Sequence, residues 1–222
     1  MSIIKRPKAI LFDFDGTIAD TMRDNFSAWE QAFKPYGVQV PESEYYALEG
    51  YRPQDITEHF SKKFSVPASE TQKIMDAKAA HFKKNHVPRV YPEIVALMKW
   101  AQQQGIKIGI VSGATLERIR DILGEERIAG CSVIIHADNS HGSPKPAPDH
   151  FLHAARELGI NPEDCLVIEN APFGIEAAKA AGMSCIGIDT TLSRDVLRAL
   201  PRPADRILGI GDILGFLNRL LP

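Results

Sequence analysis

Short apolar runs recur along the chain at residues 9–12, 106–111, 132–136, 165–168, 184–188 and 206–208. Each is continuous rather than alternating, the pattern of strands buried on both faces of a parallel sheet. Stretches with helical spacing lie between them, at residues 93–104, 116–123, 149–158 and 173–181. Gly105, Gly124, Gly159 and Gly182 follow these stretches as helix stops. Alternating strands and helices imply right-handed crossovers. They predict an α/β fold with a doubly wound, mostly parallel, Rossmann-like sheet. A closed barrel would need about eight such units, and this chain has fewer.

Residues 21–88 break the alternation. They read as helices over 25–36, 53–64 and 69–85, with no strong strand among them. Phe26, Trp29, Phe33 and Tyr36 share one side of the first of these helices, as core packing requires. A helical insertion directly after the first strand predicts a separate cap over 21–88. The α/β catalytic core is then 1–20 and 89–222. Val87-Pro88-Arg89 and Tyr91-Pro92 read as the linker returning to the sheet. Hinges are expected near 19–21 and 88–91, with cap closure excluding water.

Composition narrows the picture. Of 222 residues, 44% are apolar and 24% charged, and the net charge is -2. The chain has no basic block, so neither nucleic acid nor a membrane surface is an expected partner. Cys131, Cys165 and Cys185 form no C-x-x-C pair. Such a sparse set predicts free thiols in a reducing compartment. The N-terminus meets a charge after two isoleucines and then a proline, unlike a signal peptide. No apolar run is long enough to span a bilayer. A cytoplasmic protein is expected, with a monomer as the favoured state.

The candidate chemistry lies where the strands end, since ligands of doubly wound sheets bind beyond the carboxyl ends. The first strand runs into Asp13-Phe14-Asp15-Gly16-Thr17, with two carboxylates two residues apart. Gly16 lets the chain turn and aims both acids at one crevice, although D-x-D-G alone also describes a polar turn. Ser112-Gly113 ends the second strand, and a hydroxyl beside free backbone N–H groups can hold an anion. Lys145 projects from the stiff frame Ser143-Pro144-Lys145-Pro146-Ala147-Pro148. The fourth strand ends in Glu169-Asn170, ahead of an alanine-rich helix. Each feature has an ordinary counterpart: a turn serine, a solvated lysine, an acid favoured by a helix dipole. Together they bring acids, a hydroxyl and an ammonium to the ends of different strands. Several oxygen donors suit Mg²⁺, which would relieve repulsion between Asp13 and its acidic neighbours. Lysine and serine suit a phosphoryl group, so the combination predicts phosphoryl transfer.

These residues resemble the motifs of the haloacid dehalogenase superfamily, in its phosphatase and β-phosphoglucomutase-like branch. The resemblance spans nearly the whole chain. It comprises D-x-D-G-T at 13–17, the motif serine Ser112, Lys145 in K-P-x-P-D, and IENAPFGIEAAKAAGM at 168–183. The motifs stand in the family's order, with a helical cap between the first and second. The resemblance implies that Asp13 is the nucleophile that forms an aspartyl-phosphate. It implies that Asp15 protonates the leaving oxygen and then activates water, while its backbone carbonyl binds Mg²⁺. Ser112, Gly113 and Lys145 would bind the phosphoryl group, and Lys145 would keep Asp13 ionised. Asp13, Asp15, Glu169 and Asn170 would form or support the metal site.

The chain departs from the family pattern at two points. Relatives carry Glu-Asp where this chain has Glu169-Asn170, which removes one negative charge from the metal site. The mutases carry a histidine where Asn25 falls, and an amide cannot exchange protons near neutral pH. Asn25, Arg52 and Lys78 are candidate cap contacts to the substrate. Pro53 stands near the position of the mutases' phosphate-binding arginine. Dehalogenases lack the second aspartate, and phosphonate-cleaving members carry a small residue there, so Asp15 disfavours both. The leading expectation is a Mg²⁺-dependent phosphatase acting on a small phosphorylated metabolite, of sugar phosphate or phosphoglycolate type. The alternatives are a hexose phosphate mutase and a catalytically lapsed phospho-ligand-binding protein. His150 and His153 stand three apart on one helix and are expected at the surface. His136 and His141 are expected in a loop.

Overall fold

A computed structural model describes residues 4–220. Residues 1–3, part of the N-terminal stretch read above as unlike a signal peptide, lie outside the described residues, as do 221–222. A six-stranded sheet runs through the molecule in the order β3-β2-β1-β4-β5-β6, with every neighbouring pair parallel. Its strands are β1 (Ala9–Phe12), β2 (Lys107–Val111), β3 (Val133–Ile135), β4 (Cys165–Glu169), β5 (Ser184–Ile188) and β6 (Arg206–Leu208). Each falls within a residue or two of an apolar run.

The alternation of side chains along β1 shows why these runs are continuous. Ile10 and Phe12 enter one apolar cluster, while Ala9 and Leu11 enter another on the opposite face. Burial on both faces leaves no polar side to the strand. Helices α5 (Pro92–Gln103), α6 (Leu116–Leu123) and α11 (Ile213–Leu220) cover the first face. Helices α8 (Asp149–Leu158), α9 (Pro172–Ala180) and α10 (Arg194–Arg198) cover the second. The short α7 (Glu125–Ala129) follows α6. Strand β1 sits between β2 and β4, so the chain reverses its direction of strand addition there, which leaves a crevice beyond the carboxyl ends.

Helices α1 (Met22–Phe33), α2 (Glu42–Ala47), α3 (Pro53–Lys63) and α4 (Thr71–Asn85) fill the insertion after β1. They enclose a third cluster that includes Trp29, Phe33, Tyr45, Phe60 and Ile74, all buried. The sequence pattern misses α2, because its six residues, ESEYYA, are too few to display a period. The two linkers to this helical unit pair with each other. Asp20 N donates to Arg89 O at 3.0 Å and Tyr91 N to Ile18 O at 2.9 Å. Arg89 binds Asp20 and Asp24, and the Tyr91 hydroxyl donates to Asp20. Among the described residues, no helix is long and apolar enough to cross a membrane. The three cysteines are free, as expected.

Phe33 is fully buried and meets Phe60 edge-on, with ring centroids 6.0 Å apart. Phe33→Ala is expected to cost about 3–5 kcal/mol in urea-induced unfolding. A loss under about 1 kcal/mol would show that the helical unit adds little to the stability of the whole.

Candidate active site

The site begins with how β1 ends. Asp13 N still donates to Ile168 O, at 3.0 Å, which anchors the first acid against β4. The chain then folds back: Phe14 O accepts from Ile18 N at 2.9 Å and from Ala19 N at 2.8 Å. Gly16 makes this turn at φ 77°, a region closed to most side chains. A Cβ there would lie 2.2 Å from Asn170 Nδ2, so only glycine lets the turn approach β4.

Lys145, in the loop between β3 and α8, is 6% exposed. Its Nζ donates to Asp13 Oδ1 at 2.6 Å and to Glu169 Oε1 at 2.7 Å. Glu169 Oε2 accepts from Ala171 N, so both oxygens of this fully buried carboxylate are engaged. Burial pulls the Lys145 ammonium down, but the Asp13 and Glu169 carboxylates outweigh it and hold Lys145 above the ordinary lysine value. Burial pushes Asp13 up, Lys145 pulls it back, and Glu169 and Asp15 push it up again.

Asn170 is also fully buried. Its Oδ1 accepts from Thr17 Oγ1 and its Nδ2 donates to Thr191 Oγ1, both at 2.9 Å. These bonds fix which way the amide points. Ser112 N donates to Ile135 O, and Ser112 Oγ accepts from Ala114 N at 3.0 Å, which holds the hydroxyl at the end of β2. Gly113 is exposed, with open space where a side chain would stand.

Asp15 faces the helical insertion. Its Oδ1 accepts from Thr21 Oγ1 and, at 3.3 Å, from Asn25 Nδ2. Its Oδ2 pairs with Arg118 of α6. Asn25 Oδ1 in turn accepts from Lys78 Nζ at 2.7 Å. A cavity of about 520 Å³ lies between sheet and insertion. Asp13, Asp15, Ser112, Gly113, Lys145, Asn25, Arg52 and Lys78 all line it. The insertion closes over it where Tyr51 stacks on Phe173 at a centroid distance of 3.9 Å. Arg52 reaches the wall, but its guanidinium is engaged by Asp55 at 2.8 Å.

Sequence reasoning misses Glu49 and Arg118. Glu49 is buried, accepts from the Tyr45 hydroxyl at 2.8 Å and lines the cavity. Burial, with Asp15 next, pushes its carboxyl up to about 8. No sequence signal marks it, because its loop is positioned only by the packing of the insertion. Arg118 carries a faint signal, since a cation in the first turn of a helix opposes the helix dipole. His150 and His153 depart from the expected surface position. His150 lines the cavity, and His153 is buried beside His141, with ring centroids 5.5 Å apart. The start of α8 is drawn inward because it carries the Lys145 loop.

The donors can be tested against a hard cation. Asp13 and Glu169 share the single Lys145 ammonium, which leaves one negative charge between them, and oxygen donors at these strand ends suit Mg²⁺. Among the described residues, however, no three His, Cys, Asp or Glu side chains stand together as a metal site. A cation beside Asp13 would therefore draw on the Asn170 amide oxygen and a backbone carbonyl, a set of oxygen donors that fits.

Comparison with known proteins places this geometry. The family model described as haloacid dehalogenase-like hydrolase matches residues 10–188. The chain is 29% identical over 188 residues to fructose-1-phosphate phosphatase YqaB of Escherichia coli (strain K12), covering 83% of this chain and 97% of that one. It is 29% identical over 189 residues to β-phosphoglucomutase of Bacillus subtilis (strain 168), covering 82% and 83%. The crystal structure of CbbY from Rhodobacter sphaeroides in complex with xylulose-(1,5)bisphosphate superposes with a TM-score of 0.77 at 27% identity. That match covers 93% of this chain and 96% of the other. The parallel sheet, its order and the matched residues agree: the chain belongs to the haloacid dehalogenase-like hydrolases.

Proposed function

We propose that this protein is a Mg²⁺-dependent phosphatase that hydrolyses a small phosphorylated metabolite through an aspartyl-phosphate. The observation that carries this reading is the buried Lys145 ammonium joining Asp13 to Glu169, in a cavity shared with Ser112. Relatives named for fructose-1-phosphate and phosphoglycolate phosphatase activity support a substrate of sugar phosphate or phosphoglycolate type. We assign residues 1–20 and 89–222 to the catalytic core and 21–88 to a cap. The separate apolar cluster of α1–α4 and the paired linkers support that division.

The arrangement supports the following roles. Lys145 and Ser112, with the open backbone at Gly113, hold the phosphoryl oxygens beside Asp13. An Asp13 carboxylate oxygen attacks phosphorus, the bond to the leaving oxygen breaks, and Asp15 gives that oxygen its proton. Water then attacks the same phosphorus and passes a proton to Asp15. The Asp13–phosphorus bond breaks, and inorganic phosphate leaves. Asp13, the Asp15 backbone carbonyl and Asn170 would hold Mg²⁺. The bound cation would offset the carboxylate excess and the charge on the phosphoryl oxygens. Glu169, with both oxygens engaged, acts by holding Lys145.

A hexose phosphate mutase is the second reading, favoured by the likeness to β-phosphoglucomutase. Asn25 weighs against it. Its amide bridges Lys78 and Asp15 but cannot exchange protons near neutral pH. Net phosphate release without isomer exchange, in a coupled assay, supports hydrolysis.

Asp13→Asn is expected to lower Mg²⁺-dependent phosphate release from an aryl phosphate by roughly 10⁴-fold or more. Retained turnover would remove Asp13 from the nucleophile's role. Chelation of divalent cations should abolish the wild-type activity, and added Mg²⁺ should restore it. Gly174 gives a sharper test of the lysine clamp, since a Cβ there would lie 1.6 Å from Glu169 Oε1. In an ordinary helix interior, Gly→Ala stabilises by about 1 kcal/mol. Gly174→Ala should instead destabilise the fold and cut kcat by about 100-fold, as Glu169 is pushed off Lys145. A more stable, fully active variant would contradict the clamp.

A further inference from the structure

The proposed mechanism leaves two cations of the cavity without a task. Lys78, from α4, donates to Asn25 and stands 5.5 Å from the Trp29 ring centroid and 5.1 Å from that of Phe82. Among the described residues no carboxylate forms a salt bridge with it. Arg118, from α6 on the other side of the cavity, stacks its guanidinium on the same Phe82 ring at 4.8 Å. Its Nη2 stands against Asp15 without the alignment of a hydrogen bond, and its buried Nε has no hydrogen-bond partner. The two cations thus meet the same Phe82 ring and line the same cavity. Burial and then the Arg118 charge push the Lys78 ammonium down to about 8. Among the described residues, Asp15 is the only carboxylate in a salt bridge with either cation, and Asp15 and Glu49 offset the push on Lys78 only in part.

Such an arrangement is costly. Like charges repel, a buried donor without an acceptor loses its hydration, and Arg118 opposes the dipole of its own helix. A bound anion would relieve all three costs at once. The location is informative, because Arg118 touches Asp15, the residue proposed to protonate the leaving oxygen. The pair therefore faces the leaving alcohol rather than the phosphoryl group. We propose that Lys78 and Arg118 form a subsite for a second anionic group, a carboxylate or a phosphate, carried by the leaving part of the substrate. This deepens the phosphatase reading and rests on it. It selects acidic phosphomonoesters and bisphosphates over neutral sugar monophosphates.

The test is calorimetric titration with three ligands that cannot be hydrolysed, in excess Mg²⁺. They are 3-phosphonopropionate, 1,2-ethylenediphosphonate and propylphosphonate, the last with a neutral tail. Wild-type protein should bind at least one anionic-tailed ligand about tenfold or more tighter than propylphosphonate. Which tail gains more separates a carboxylate substrate from a bisphosphate. In Lys78→Met and in Arg118→Met, the advantage should fall below about threefold. The ratio is taken within each protein, so a general loss of affinity does not mimic the effect. Equal or undetectable binding of the three ligands by wild type, or an advantage retained in either variant, would overturn the subsite. Binding of an anionic tail by a protein that releases no phosphate from an aryl phosphate would overturn the phosphatase reading alone.

Discussion

One buried ammonium organises this molecule. Lys145 Nζ lies 2.6 Å from Asp13 and 2.7 Å from Glu169, and all three side chains are nearly or fully excluded from solvent. Removing either carboxylate partner of a buried pair leaves an uncompensated charge and typically costs about 3–5 kcal/mol. The bridge joins three elements distant in sequence: the end of β1, the end of β4 and the loop before α8. It therefore sets the position of Asp13 relative to the lysine more tightly than either loop could alone. Gly16 and Gly174 matter for the same reason. Each is a place where a single methyl group would collide with a β4-terminal side chain.

A second chain of contacts crosses from the insertion to the sheet. Lys78 bonds Asn25, Asn25 bonds Asp15, and Asp15 pairs with Arg118. Every link is polar, and each joins a different helix or loop. The two carboxylates of the D-x-D motif are thus held by different parts of the molecule. Asp13 is held by β4 and the lysine loop, and Asp15 by the insertion and α6. Movement of the insertion would disturb Asp15 while leaving Asp13 in place. The paired linkers at Ala19 and Val90, braced by Arg89 and Asp20, join the insertion to the sheet.

The strands were legible in the sequence because a strand buried on both faces has to be apolar at every position, and β1 is. The four longest helices of the insertion and core, α1, α4, α5 and α3, were legible because they span several turns. Helices α2, α7 and α10 were not, since five or six residues cannot display a period. Asp13, Asp15, Ser112, Glu169 and Asn170 were legible as strand ends, because a parallel sheet directs those ends to one side, and Lys145 was legible from its proline frame. Glu49 and Arg118 were not. Their place in the cavity depends on how the insertion lies over the sheet, a matter of packing between segments far apart in sequence. His153 was misjudged for the same reason.

The sequence by itself determined the sheet, the position of the insertion and the side of the sheet on which the candidate site lies. Those follow from local rules: burial sets the apolar pattern, and strand direction sets where the ends point. Tertiary structure decided which partner each charge has. It gave Glu169 to Lys145 rather than to solvent, tied Asn170 between two threonines, and brought Arg118 against Asp15. Charge pairing acts through space at a few ångströms, and only the folded chain sets those distances.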